Sequence, residues 1–151
     1  MATLLPHAIA PLFERLCADA DAPVDSAALD ERGLQASIGR ELARLLNSRS
    51  RLDFEAFERR ELTVLDYGLP DFSALSTRSG EDLERLRRAV QRAIARYEPR
   101  LQHPRIRIEP AAGTARARIR IEAAISLGLT LRPVQFEIAA DPHVLPAEEV
   151  S

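Results

Sequence analysis

Apolar residues recur at helical spacing through the first two thirds of the chain, then at every second position. Leu5, Ile9, Leu12, Phe13 and Leu16 share one face of a helix expected over residues 4–17. Pro6 fits its first turn, whereas Pro11 kinks or ends an early segment. Residues 19–31, DADAPVDSAALDE, are acidic and small and read as a surface loop. Leu34, Ile38, Leu42, Leu45 and Leu46 stripe a second helix over 34–47, with Arg40, Glu41 and Arg44 facing away. The charged run RSRLDFEAFERRE (49–61) holds Leu52, Phe54 and Phe57, and is expected to be irregular or made of short turns. In LTVLDYGLPDFSAL, Gly68 and Pro70 imply a short strand or turn leading into an ordered loop.

A third helix is expected over residues 80–97. Ser79 is its N-cap, Glu81 and Asp82 suit its positive end, and Leu83, Leu86, Val90, Ile94 and Tyr97 form its stripe. RIRIE (105–109) and ARIRIEAAI (117–125) then alternate strictly around a turn at Gly113, and PVQFEIA (133–139) alternates again. Pro133 suits a strand start or an edge. These elements predict an α+β fold, with three helices packed on one face of a small antiparallel β-sheet. A single domain over 1–151 is expected, with 1–3 and 143–151 as flexible ends.

Composition narrows the function classes. With 46% apolar residues the chain can bury a core. No apolar run reaches the roughly 18–20 residues of a membrane span, so no direct membrane insertion is expected. MATLLPHAIAPLFERL lacks a basic leader region and reads as an amphipathic helix instead of a signal peptide. Cys17 is the only cysteine, which rules out an internal disulfide and fits the cytoplasm. On the apolar side of the first helix it reads as a small buried hydrophobe. The net charge of −2 argues against a chain built to hold nucleic acid. All 21 basic residues are Arg, whose planar fork suits carboxylates at protein contacts.

The junction after the third helix, YEPRL at 97–101, is chemically unusual. The residue before proline is pushed out of the α region, so Glu98 leaves the helix, and Pro99 has no N–H to extend it. Glu98 and Arg100, two apart in an extended chain, should project on one side. A carboxylate at the negative helix end costs about 0.3–1 kcal/mol unless a cation such as Arg100 or Arg96 compensates. One reading is a helix stop with an exposed ion pair worth about 0–1 kcal/mol; the other is a docking site. On the strands, Arg105, Arg107, Arg116, Arg118 and Arg120 alternate with Ile and Ala. That Arg face could meet an acidic partner, or be a solvated face diluted by Glu109 and Glu122 and guarded against wrong edge pairing.

YEPRL, between a striped helix and alternating strands, resembles the Glu-Pro-Arg motif of the lysozyme-like baseplate wedge family of contractile phage tails. TVLDYGLPDFSAL at 63–75, LLNSR at 45–49 and the C-terminal RIEAAISL…PVQFEIAADP resemble the type VI secretion branch of that family, the TssE proteins. Asp66 stands where that branch often carries Asn. The resemblance covers roughly residues 4–142, although before Leu34 it rests on helix character alone. It implies a baseplate subunit beside the wedge proteins TssF, TssG and TssK, on the cytoplasmic side of the inner membrane. It further implies a platform for the contractile sheath of TssB and TssC. Glu98, Pro99 and Arg100 are the first candidates for the wedge contact. Tyr67, Gly68, Leu69, Pro70 and Asp71 shape a loop that either binds or buttresses the fold, and Phe72 is expected in the core.

Two other functions compete with this reading. A muramidase needs two carboxyls flanking a sugar cleft. Glu55, Glu58, Glu61 and Glu98 are available, but none is set opposite a defined partner, and with no Trp a stacking cleft is poorly supplied. A nucleic-acid module would interleave aromatics with its Arg, which these strands do not. His7, His103 and His143 lack ligand spacing, so no metal, cofactor or catalytic residue is expected.

Overall fold

Asp30 starts the first long helix, because its carboxylate accepts the Gly33 N–H at 2.7 Å. This computed structural model of the protein describes residues 8–9, 28–110 and 117–140. In chain order it contains strands β1 (Ala8–Ile9) and β2 (Ala28–Leu29), helices α1 (Glu31–Asn47) and α2 (Phe54–Arg59), a 3-10 turn (Val64–Asp66) and helix α3 (Gly80–Tyr97). Strands β3 (Leu101–Pro110), β4 (Ala117–Leu127) and β5 (Thr130–Ala140) complete it. The cap at Asp30 puts the start of α1 before Leu34, where the apolar stripe begins.

Two expectations need correction. Ala8–Ile9 pairs antiparallel with Ala28–Leu29, so no helix runs through those two residues; the rest of the expected first helix lies outside the described residues. The charged run at 49–61 contains α2, nucleated where the Asp53 carboxylate accepts the Ala56 N–H at 2.8 Å. Phe54 and Phe57, three apart on one face, are both buried. The Gly113 turn, Arg116, Cys17, His7 and His143 also lie outside the described residues.

Helix α3 keeps its expected bounds. Ser79 Oγ accepts the Asp82 N–H at 3.2 Å, while the Asp82 carboxylate reaches back to the Ser76 N–H at 2.9 Å. Strands β3, β4 and β5 form an antiparallel meander in that spatial order. Ile106 faces Ile121, and Ile121 faces Phe136, so the apolar sets of all three strands share one side. Helices α1 and α3 cover that side. Ile38, Leu42 and Leu46 of α1, Val90 and Ile94 of α3, and Ile119, Ile121 and Ile125 of β4 are fully buried. Helix α3 runs against β3, and α1 lies over β5, where Gly39 stands close to the Phe136 ring. The β4–β5 connection is a two-residue hairpin between Leu127 and Thr130. Gly128 supplies its positive φ of 62°.

Candidate protein-binding site

The end of α3 is a tight turn. The Glu98 N–H closes the helix on the Ile94 carbonyl at 2.9 Å, and the Leu101 N–H donates to the Glu98 carbonyl at 3.2 Å. Pro99 sits second in this four-residue turn, where its fixed φ is favoured. Glu98 and Arg100 therefore fall on one side, as expected, but that side faces inward. Arg100 Nε and Nη2 donate to the two Glu98 carboxylate oxygens, each at 2.6 Å, in a fork-on-fork pair. Its Nη1 donates to Ser37 Oγ of α1 at 2.9 Å. Glu98 is only 3% exposed and Ser37 fully buried, whereas a quarter of the Arg100 side chain still meets solvent. The exposed ion pair anticipated as the bland alternative is thus a buried clamp tying the α3–β3 corner to α1. Pro99 is exposed at its apex.

The YGLPD loop is a second fastening. The Leu69 N–H donates to the Ser48 carbonyl at 2.9 Å, and the Ser50 N–H to the Leu69 carbonyl at 2.8 Å. Segments 45–49 and 63–75, far apart in sequence, are thereby stitched together. Gly68 has φ of 107°, and a Cβ there would lie 2.6 Å from the Ser48 carbonyl oxygen. Only glycine fits. Gly68, Leu69 and Pro70 are buried within the chain, which makes them supports of the surface instead of parts of it. Tyr67 is half-buried and meets Tyr97 edge-on at 5.2 Å. Burial, with the nearby Glu41 carboxylate next in effect, pushes the Tyr67 phenol up from its ordinary range. Asp71 is exposed, and its carboxylate accepts the Ser73 N–H at 3.0 Å. Phe72 is in the core, with the Arg49 guanidinium 4.3 Å over its ring.

Before that loop, Asp66 is 3% exposed and holds the 3-10 turn. Its carboxylate accepts the Thr63 N–H at 2.9 Å, the Thr63 hydroxyl at 2.8 Å and Arg51 Nε at 2.9 Å. These bonds, the backbone one first, lower its pKa from 3.8 to about 2. The Tyr97 hydroxyl donates to the Thr63 carbonyl at 2.6 Å. The turn so fixed presents Val64 and Leu65, 82% and 71% exposed.

On the open face of the sheet, Arg105, Arg107, Arg118 and Arg120 do lie together, interleaved with acids. Arg105 faces Glu122, and Glu109 faces Arg118. Glu137 of β5 pairs with Arg118 at 3.2 Å and Arg120 at 3.3 Å. Arg107 faces Arg120, the one like-charged cross-strand pair of this Arg set. Leu129 at the hairpin tip is fully exposed, and Leu131 more than half.

The profile of the family described as baseplate wedge protein gp25 matches residues 32–128, close to two thirds of the chain. The chain belongs to the baseplate wedge family. The match takes in α1, the stitched loop, the Glu98–Arg100 clamp and strands β3 and β4. Among solved structures, the chain is similar to one in the baseplate complex from the type VI secretion system. That likeness has 19% identity and a TM-score of 0.50, covering 74% of this chain and 97% of the other. At that identity it shows the shared fold, three helices with a three-stranded antiparallel sheet. No curated protein matches significantly.

For a wedge-family protein, the site residues named from sequence divide into two groups. Pro99, Arg100, Tyr67, Asp71 and the four described strand Arg reach the surface, while Glu98, Gly68, Leu69 and Pro70 lie beneath it. Ser37, Arg51, Thr63 and the exposed Val64, Leu65, Leu129 and Leu131 were not anticipated. Ser37 is 63 residues from Arg100, and nothing local in the sequence pairs them. An exposed Leu, by contrast, was findable at 129, beside the turn-forming Gly128.

Proposed function

We propose that the protein is a non-catalytic structural subunit of a type VI secretion baseplate, acting in the cytoplasm by binding. Its partners are the wedge proteins TssF, TssG and TssK and the sheath proteins TssB and TssC. The observation that carries this reading is the family match across residues 32–128, which spans both fastenings and strands β3 and β4. The likeness to a chain of a type VI baseplate complex agrees with it.

Arg100, Pro99, Tyr67 and Asp71 form the wedge contact, and Glu98, Gly68, Leu69 and Pro70 hold it in position. The sheet serves the sheath. Among the described residues strand β5 is paired only with β4, so its other edge offers main-chain groups to an added strand. Arg105, Arg107, Arg118 and Arg120 flank that platform.

Binding is favoured over catalysis by where the carboxylates are spent. Glu55 pairs with Arg59 at 2.8 Å, Glu58 with Arg88 at 3.2 Å, and Glu98 with Arg100. A glycosidase needs carboxyls that face the sugar, and these three face guanidinium groups instead. Acids among the strand Arg likewise favour a protein partner over a polyanion. Among the described residues no group of His, Cys, Asp and Glu could hold a metal, and no helix is long and apolar enough to cross a membrane.

The test is sheath assembly in a bacterium encoding the chain, followed with a fluorescent sheath protein. Deleting the gene should abolish sheath filaments, and the wild-type chain should restore them. Filaments of normal number without the gene would overturn the proposal.

A further inference from the structure

Helix α3 carries Arg85, Arg88, Arg92 and Arg96 in one stripe, at steps of three, four and four. The first two are met by α2 of the same chain. The Arg85 guanidinium lies 5.2 Å over the Phe54 ring, and Arg88 pairs with Glu58 at 3.2 Å. Helix α2 ends at Arg59, and the next two Arg have no such counterpart. Arg92 Nη2 donates to the Arg60 carbonyl at 2.5 Å, but its Nε is shielded from solvent and meets no acceptor among the described residues. Arg96 is exposed and makes no ion pair among them.

Beside these two Arg is an open groove of about 260 Å³, lined by Glu61, Leu62, Arg92, Ala95 and Arg96. Leu62 is buried, and Val64 and Leu65 stand exposed two and three residues farther along the chain. We infer that this groove docks an acidic-apolar segment of another protein, which extends the pairing α2 begins: a carboxylate onto Arg92 and Arg96, and an aliphatic or aromatic side chain onto Leu62, Ala95 and the Val64–Leu65 turn. Charge complementarity identifies the occupant, because the groove holds two guanidinium groups against the single carboxylate of Glu61. On the proposed baseplate function, on which this inference rests, the segment belongs to a wedge protein. The groove is separate from the clamp, which closes against α1.

The experiment measures binding of the full chain to the purified wedge complex at two salt concentrations. Arg96→Glu, in the exposed last turn of α3, should weaken binding about tenfold or more, whereas Arg96→Lys should retain most of it. Glu61→Gln removes the opposing carboxylate and should tighten binding. Circular dichroism confirms folding, and Glu61→Gln carries the test should Arg96→Glu melt. Wild-type binding left unchanged by Arg96→Glu and Glu61→Gln overturns the inference. A change of opposite sign in both assigns the groove to a basic segment and overturns it equally. A wild-type chain that does not bind the wedge complex overturns the baseplate reading, and the inference falls with it.

Discussion

Replacing Arg100 with alanine tests whether the clamp is a fold element. Its guanidinium makes two hydrogen bonds at 2.6 Å to Glu98 and one at 2.9 Å to Ser37. The substitution leaves a carboxylate that is 3% exposed without its cation, and a buried hydroxyl without that donor. Breaking a fully buried pair from one side costs about 3–5 kcal/mol. Arg100 is itself a quarter exposed, so water entering its place offsets part of the loss, and about 3 kcal/mol is expected. For a chain of 151 residues this lowers Tm by roughly 6–12 °C. The assay is thermal and urea unfolding of the purified chain. Changing Glu98 to Gln as well removes the stranded charge, so the double variant should be more stable than Arg100→Ala alone. A single variant within about 0.5 kcal/mol of wild type would refute the clamp and return the motif to the surface.

Three other outcomes follow from the geometry. Gly68→Ala should destabilise by about 2–4 kcal/mol, read by urea unfolding, since its Cβ would lie 2.6 Å from a carbonyl oxygen at a φ of 107°. Asp66 titrates near 2 in the folded chain against an ordinary 3.8, so its stabilising contribution is full above about pH 4 and lost as pH falls through about 2. Melting profiles from pH 5 to pH 2 should therefore be flatter for Asp66→Asn than for wild type. Arg107→Glu converts the like-charged pair with Arg120 into an attractive one and should stabilise by about 0.2–1 kcal/mol in the same unfolding assay.

Local chemistry made the second half of the fold legible. Ser79 and Pro99 bracket α3 because a cap and a missing N–H act on their own segment, and strict alternation marks β3, β4 and β5. Helix α2 escaped because six residues make fewer than two turns, too short for a stripe. Its signal was the Asp53 cap before two Phe three apart. The junction is legible in its backbone but not in its direction. Proline chemistry puts Glu98 and Arg100 on one side, but only the packing of α1 decides that this side is inward. Gly68 reads as a turn glycine, yet the demand for glycine comes from Ser48, which tertiary folding brings against it.

The central claim is that the chain is a baseplate subunit that works by binding. Its most direct test is size-exclusion chromatography with light scattering on the chain co-expressed with TssF, TssG and TssK. One peak should contain all four proteins, with the chain absent from the monomer volume. Wedge proteins eluting as an assembly while the folded chain elutes alone would contradict it.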